Sequence, residues 1–182
     1  LDPLATGLLV ICTGKMTKQI NTFQGQIKEY TGTFVLGSTT PSFDLETEIE
    51  NTYPTDHITE DLIHQSTKQF IGEIDQYPPV FSAIKKDGKR LYEFARAGED
   101  VEIKPRKVTI EAFEITKIDG LNLEFKVVCS KGTYIRSLAN DFGKALNSGA
   151  HLSVLRRTRI GEFEVKNALS IEDFIKNLPK KD

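Results

Sequence analysis

The chain has 182 residues, 38% hydrophobic and 27% charged, with a mean hydropathy of -0.31, enough for one soluble domain around an apolar core. No apolar run approaches the roughly 20 residues of a membrane-spanning helix, so no membrane segment is expected. A formal net charge of -2 lacks the basic excess usual in a nucleic-acid binder. The cations nevertheless gather, in Lys85, Lys86, Lys89, Arg90 and Arg96, in Arg106 and Lys107, and in Arg156, Arg157 and Arg159. Acids concentrate elsewhere, over 44–50, 59–62 and 97–102, which allows a molecule with one basic face. Cys12 and Cys129 sit in apolar stretches and read as buried, reduced thiols, in keeping with a cytoplasmic location. His57, His64 and His151 are scattered, so no metal site is expected. The chain opens on Leu1 without a secretion signal, and residues upstream are expected to be missing.

Alternation and β-branched content predict strands over 6–12, 28–37, 106–118 and 121–130, the last two joined by the turn Asp119-Gly120. Between the second and third, residues 59–74 read as one amphipathic helix, with Thr59 as N-cap and Leu62, Ile63, Phe70 and Ile71 on its apolar face. Further helices are predicted over 88–98, over 133–146 and over 170–178. The second of these has Thr133 as N-cap, buries Ile135, Leu138, Ala139 and Phe142, and ends at Asn147 and Gly149; the third has Ser170 as N-cap. This order is not the strict alternation of a doubly wound sheet. It predicts an α+β fold, a mixed and mostly antiparallel sheet flanked by helices. Residues 36–56, rich in Thr, Ser, Pro and acids, read as a long loop of functional or mobile character.

Four segments carry possible chemistry, each with a plainer reading beside it. In LDPLATG, Asp2 before a proline is first of all a cap or turn residue. In KGTYIRSLANDFG, Arg136 falls in the first turn of a helix, where the dipole disfavours a cation; it calls for a carboxylate partner, which any surface Glu could supply. Tyr-Pro-Pro at 77–79 presents Tyr77 and Phe81 beside lysines and arginines, a combination that suits RNA or a half-buried strand edge. Tyr30, alternating with Lys28, is open between a strand face and a site residue.

Taken together and in order, the segments 1–18, 28–44, 77–98, 129–143 and 149–163 resemble the tRNA pseudouridine-55 synthase family, the TruB family of bacteria. The resemblance spans nearly the whole chain and implies one pseudouridine synthase catalytic domain over 1–182, its N-terminal strand missing and no C-terminal RNA-binding PUA domain. It implies isomerisation of uridine to pseudouridine at position 55 in the TΨC loop of tRNA, with base flipping and no cofactor. Asp2 is then the catalytic carboxylate, Arg136 its ion-pair partner, and Tyr30 the residue that stacks on the flipped uracil. Tyr134, Leu155 and Lys18 match substrate-binding positions, while Lys85, Lys86, Arg90, Arg156 and Arg157 are candidates for the RNA backbone. A monomer acting on the TΨC stem-loop, without metal or membrane, is the expectation. The alternatives are a non-catalytic RNA-binding module of the same fold, and a carboxylate-dependent glycosidase. The glycosidase would need a second, proton-donating carboxylate, for which Asp44 and Asp141 are the only acids near the motifs.

Overall fold

A computed structural model describes residues 2–82, 84–86, 88–99 and 101–178. The chain enters through a turn in which the Ala5 N–H donates to the Asp2 carbonyl at 3.0 Å, and continues as β1 (Thr6–Gly7). The strand expected over 6–12 stops there. Gly7 has φ +105, and Leu9 and Ile11 beyond it are exposed. A 3-10 turn over Gly14–Gln19 leads to α1 (Ile20–Gly25) and then β2 (Lys28–Leu36). Cys12 is half-buried, unlike the buried Cys129, and lies in the part of the expected strand that does not form.

Residues 36–56 are ordered by pairing of β3 (Ser38–Thr39) with β4 (Asn51–Thr52). α2 (Glu60–Ser66) follows, capped as expected by Thr59 Oγ1, which accepts the Leu62 N–H at 3.2 Å. The predicted helix over 59–74 breaks into α2, a 3-10 turn over Thr67–Phe70 and β5 (Gly72–Gln76). Gly72, at φ +101, turns the chain from helix to strand, and Ile71 ends up 48% exposed.

Next come β6 (Lys85–Lys86), β7 (Lys89–Arg90) and α3 (Leu91–Ala97). β8 (Arg106–Asp119) and β9 (Asn122–Cys129) form the predicted hairpin. α4 (Ile135–Ala145) buries Ile135, Leu138, Ala139 and Phe142. It ends where Asn147 adopts φ +51 and the Ser148 N–H reaches the Gly143 carbonyl at 3.0 Å. Thr133 is not its N-cap: Tyr134 holds that position, and Thr133 Oγ1 instead donates to the Ser130 carbonyl at 3.0 Å. β10 (Ala150–Ile160), β11 (Phe163–Glu164) and α5 (Ile171–Lys176) complete the chain. Ser170 caps α5, accepting the Asp173 N–H at 3.0 Å.

The main sheet runs β1-β10-β2-β9-β8-β5, with β11 on β10. Only the β1–β10 pair is parallel among its described pairings, so the fold is α+β with a mostly antiparallel mixed sheet. α4 covers one face through an aromatic cluster: Phe34 stacks on Phe125 at 4.1 Å between centroids, and Phe142 of the helix meets Phe113 edge-on at 5.2 Å. Phe142→Ala is expected to cost about 3–5 kcal/mol in a urea melt. Among the described residues no helix is long and apolar enough to cross a membrane.

β10 carries two register shifts against β2, between Leu152 and Val154 and between Arg157 and Arg159. The inward set is therefore Ala150 and Leu152, then Leu155 and Arg157, then Ile160. Without the first bulge, Leu155 and Arg157 would face the opposite side from Tyr30. Gly32 makes the close approach possible, since a Cβ there would run into the Val154 carbonyl oxygen and the Phe125 ring. Gly32→Ala is expected to destabilise the fold at the upper end of the about 1–3 kcal/mol that overpacking costs. Equal urea midpoints for the variant and the parent would contradict this packing.

Candidate active site

Asp2 has no local reason to be more than a turn residue, and no helix follows for it to cap. Its carboxylate is placed by long-range packing. β1 is held on β10 by the Thr6↔Arg156 and Gly7↔Arg157 pairs, by the Leu8 N–H on the Arg157 carbonyl at 2.8 Å, and by the Arg157 guanidinium. Arg157 is buried, and its Nε and Nη2 donate to the Leu8 carbonyl at 2.8 and 2.6 Å. This corrects its expected place among RNA-backbone cations: the guanidinium fastens the segment that carries Asp2 and is withdrawn from solvent.

Arg136 is 3% exposed, in the first turn of α4. Its Nη2 donates to Asp2 Oδ1 at 3.1 Å, and its Nε faces Asp2 Oδ2 at 3.0 Å in an ion pair not aligned for a hydrogen bond. Two acids that the sequence left in a loop share the same guanidinium. Asp44 Oδ2 lies 3.5 Å and Glu46 Oε2 3.7 Å from Nη1, which also donates to the Ser42 carbonyl at 3.4 Å. Asp44 is buried and aimed by an unusual backbone: Phe43 before it has φ +64, while its own carbonyl accepts from Thr40 Oγ1 at 2.6 Å and Ser42 Oγ at 3.1 Å. Three carboxylates around one buried cation leave the cluster net negative; Glu46 at 32% and Asp2 at 31% exposure both reach solvent, Asp2 forming the face toward Tyr30.

That face opens on a cavity of about 200 Å³ lined by Asp2, Tyr30, Gly132, Thr133, Tyr134, Ile135 and Leu155. Asp2, Tyr30, Tyr134 and Leu155 thus meet, with Arg136 behind Asp2. Burial, above all, pushes the Tyr30 hydroxyl above its ordinary pKa, with the Asp2 carboxylate adding to this and the Arg157 guanidinium opposing it; the phenol stays neutral at physiological pH. Lys18 stands exposed on the Gly14–Gln19 turn, outside the cavity lining. Arg156 is exposed beside Leu155, with Nη1 at 3.5 Å from Thr6 Oγ1. Arg90 is exposed, 5.9 Å from the Tyr92 ring. The side chains of Lys85, Lys86 and Arg96 lie outside the described part of the structure.

Behind the cavity, burial raises the Cys129 thiol from 9.0 to about 11. An acid whose folded pKa is raised stays protonated in the fold while its unfolded counterpart ionises. Stability is therefore expected to fall as pH rises from about 9 to about 11, and less steeply in Cys129→Ala; identical slopes in urea melts would contradict the assignment.

The sequence profile of the TruB family pseudouridylate synthase N-terminal domain matches residues 1–135, and that of the tRNA pseudouridylate synthase B C-terminal domain matches residues 136–181. The chain belongs to the TruB family. Its relatives within the family include tRNA pseudouridine synthase B of Flavobacterium johnsoniae, 69% identical over 98% of this chain and 78% of that protein. The enzyme of the same name from Phocaeicola vulgatus is 57% identical over 96% of this chain and 74% of that one. Among solved structures, the TruB fold seen here superposes on a chain of a Cbf5-Nop10-Gar1 complex with a TM-score of 0.72, at 30% identity. That match takes in 97% of this chain and 43% of the other. An H/ACA RNP bound to a substrate RNA containing 2'-deoxyuridine is similar with a TM-score of 0.62 at 26% identity, over 91% of this chain and 38% of that one. The two TruB profiles meet inside α4, between Ile135 and Arg136, yet β10 from the second lies between β1 and β2 from the first.

Proposed function

We propose that the chain isomerises a uridine in the TΨC loop of tRNA, at position 55, with Asp2 as its catalytic carboxylate and no cofactor. The observation that carries this reading is a carboxylate gripped from behind by a buried guanidinium and open in front to a cavity with two tyrosines and a leucine. Its volume of about 200 Å³ falls below the roughly 300–1,000 Å³ of pockets for drug-sized molecules, and suits one extruded base. Extrusion from the loop costs a few kcal/mol. Stacking on an aromatic ring returns about 1–3 kcal/mol per base, so the Tyr30 and Tyr134 rings can offset it.

The reaction breaks N1–C1′, turns the uracil while it stays bound, joins C5 to C1′, and moves the C5 proton off that carbon. Nothing is oxidised or hydrolysed in sum, so the chemistry requires no redox or metal group. A carboxylate at Asp2 has three routes: attack on C1′, attack on uracil C6, or removal of the ribose C2′ proton. The net negative cluster of Asp2, Asp44 and Glu46 around Arg136 favours positive charge developing on the ribose as the glycosidic bond loosens. A glycosidase reading is weakened because Asp44, one of the two acids near the motifs, is buried in an ion pair with Arg136. Incubation with a TΨC stem-loop tritiated at uridine C5 is expected to release tritium to solvent. No release by correctly folded protein would overturn the reading.

A further inference from the structure

We propose that Gln76 is a positioning residue for the reaction, a side-chain clamp that fixes Tyr134 and, through it, the start of α4 that carries Arg136. The inference rests on the role given above to Tyr134 and Arg136. Gln76 ends β5 and is 0% exposed, a costly place for a primary amide unless both its ends are bonded. Both ends go to a single residue: Oε1 accepts the Tyr134 N–H at 2.8 Å, and Nε2 donates to the Tyr134 carbonyl at 3.0 Å. A glutamine thus imitates one rung of a β-ladder across 58 residues.

The rung is needed because the cavity wall it holds is irregular. Gly132 sits at φ +86, Thr133 bonds back to Ser130, and the N-cap position of α4 is taken by Tyr134 with no side-chain cap. The adjoining residue repeats the tether, since Ser137 Oγ donates to the Tyr77 carbonyl at 2.7 Å. Opposite Gln76 in the ladder stands Arg106, whose guanidinium lies 5.8 Å from the Tyr134 ring centroid. The β5–β8 rung therefore grips Tyr134 by its backbone from one strand and touches its ring from the other. Arg136 follows two residues later, so a shift in the Tyr134 backbone moves both the aromatic wall and the carboxylate holder.

Gln76→Met keeps the length and removes both bonds, whereas Gln76→Glu keeps the shape and makes the bonding depend on pH. An ionised glutamate accepts the Tyr134 N–H but repels its carbonyl; a protonated one restores a donor. In the whole chain, Gln76→Met is expected to lower the single-turnover rate of tritium release at least tenfold while stem-loop affinity stays within about threefold. Amide exchange in the 131–137 segment should rise in the absence of RNA. Gln76→Glu, relative to the parent at each pH, should regain rate as pH falls, a response that mere loss of packing would not give. An unchanged rate in Gln76→Met, unaltered exchange over 131–137, or a flat relative pH profile in Gln76→Glu would each overturn the role. If the parent itself releases no tritium, the functional reading fails; exchange over 131–137 still decides the clamp.

Discussion

Asp2→Asn is expected to abolish tritium release from the stem-loop, by about 10³-fold or more, the scale on which removal of a central catalytic group acts. The substitution is nearly isosteric. Its amide oxygen can still accept from Arg136 Nη2, and Arg136 keeps Asp44 and Glu46 as counter-charges. Stability is therefore expected to stay within about 1 kcal/mol of the parent, because the buried guanidinium is never left without a counter-charge. Stem-loop binding should also persist, because the walls formed by Tyr30, Tyr134 and Leu155 are untouched. What the amide lacks is the charge and the proton affinity that every route through Asp2 uses. Equal release by parent and variant would refute the role of Asp2, and loss of release together with loss of fold would mean that it acts structurally. The same experiment separates the enzyme from a binding module of this fold, which would tolerate asparagine.

The elements that could be read from sequence are those whose burial follows a simple period. α4 shows its apolar face at Ile135, Leu138, Ala139 and Phe142, and the β8–β9 hairpin announces itself by alternation around Asp119-Gly120. β10 could not be read that way. Two bulges change the parity of its inward residues from Leu152 to Leu155 and again from Arg157 to Ile160, and no single alternation survives. β5 was hidden inside a helical pattern because Phe70 and Ile71 fall at helical spacing from Ile63; Gly72, at φ +101, was the signal against it.

Within the site, the collinear motifs gave Asp2, Tyr30, Tyr134, Arg136 and Leu155. Glu46 and Gln76 were missed, and Asp44 entered only as a possible second carboxylate for the glycosidase alternative. Asp44 and Glu46 lie in the acid-rich stretch over 36–56 that reads as a long loop of functional or mobile character, and only the fold brings them to Arg136. Gln76 was assigned to no element, and its use as a backbone clamp depends on a partner 58 positions away. The first-turn arginine was the better clue: a cation where the helix dipole disfavours it implied a carboxylate, and the structure supplies three.

Arg136→Met is expected to be among the most damaging single changes in this protein. The guanidinium is 3% exposed and the Asp44 side chain 6%, so removing the cation leaves a buried carboxylate without its counter-charge, at a cost of about 3–5 kcal/mol. Loss of the fork also frees Asp2 to rotate, so the surviving folded fraction should be inactive. Arg136→Lys separates the two effects. An ammonium retains the charge that Asp44 needs, and stability should recover by more than half of the methionine loss. It cannot, however, face both Asp2 oxygens through Nε and Nη2 while keeping Nη1 near Asp44 and on the Ser42 carbonyl, because it is a point charge without a fork. Tritium release is therefore expected to stay at least a hundredfold down in Arg136→Lys even where urea melts show most of the stability restored. A lysine variant with the parent's rate would mean that charge near Asp2 suffices and that orientation by the guanidinium does not matter. A methionine variant as stable as the parent would mean that the Asp44 carboxylate finds another partner or takes up a proton on burial.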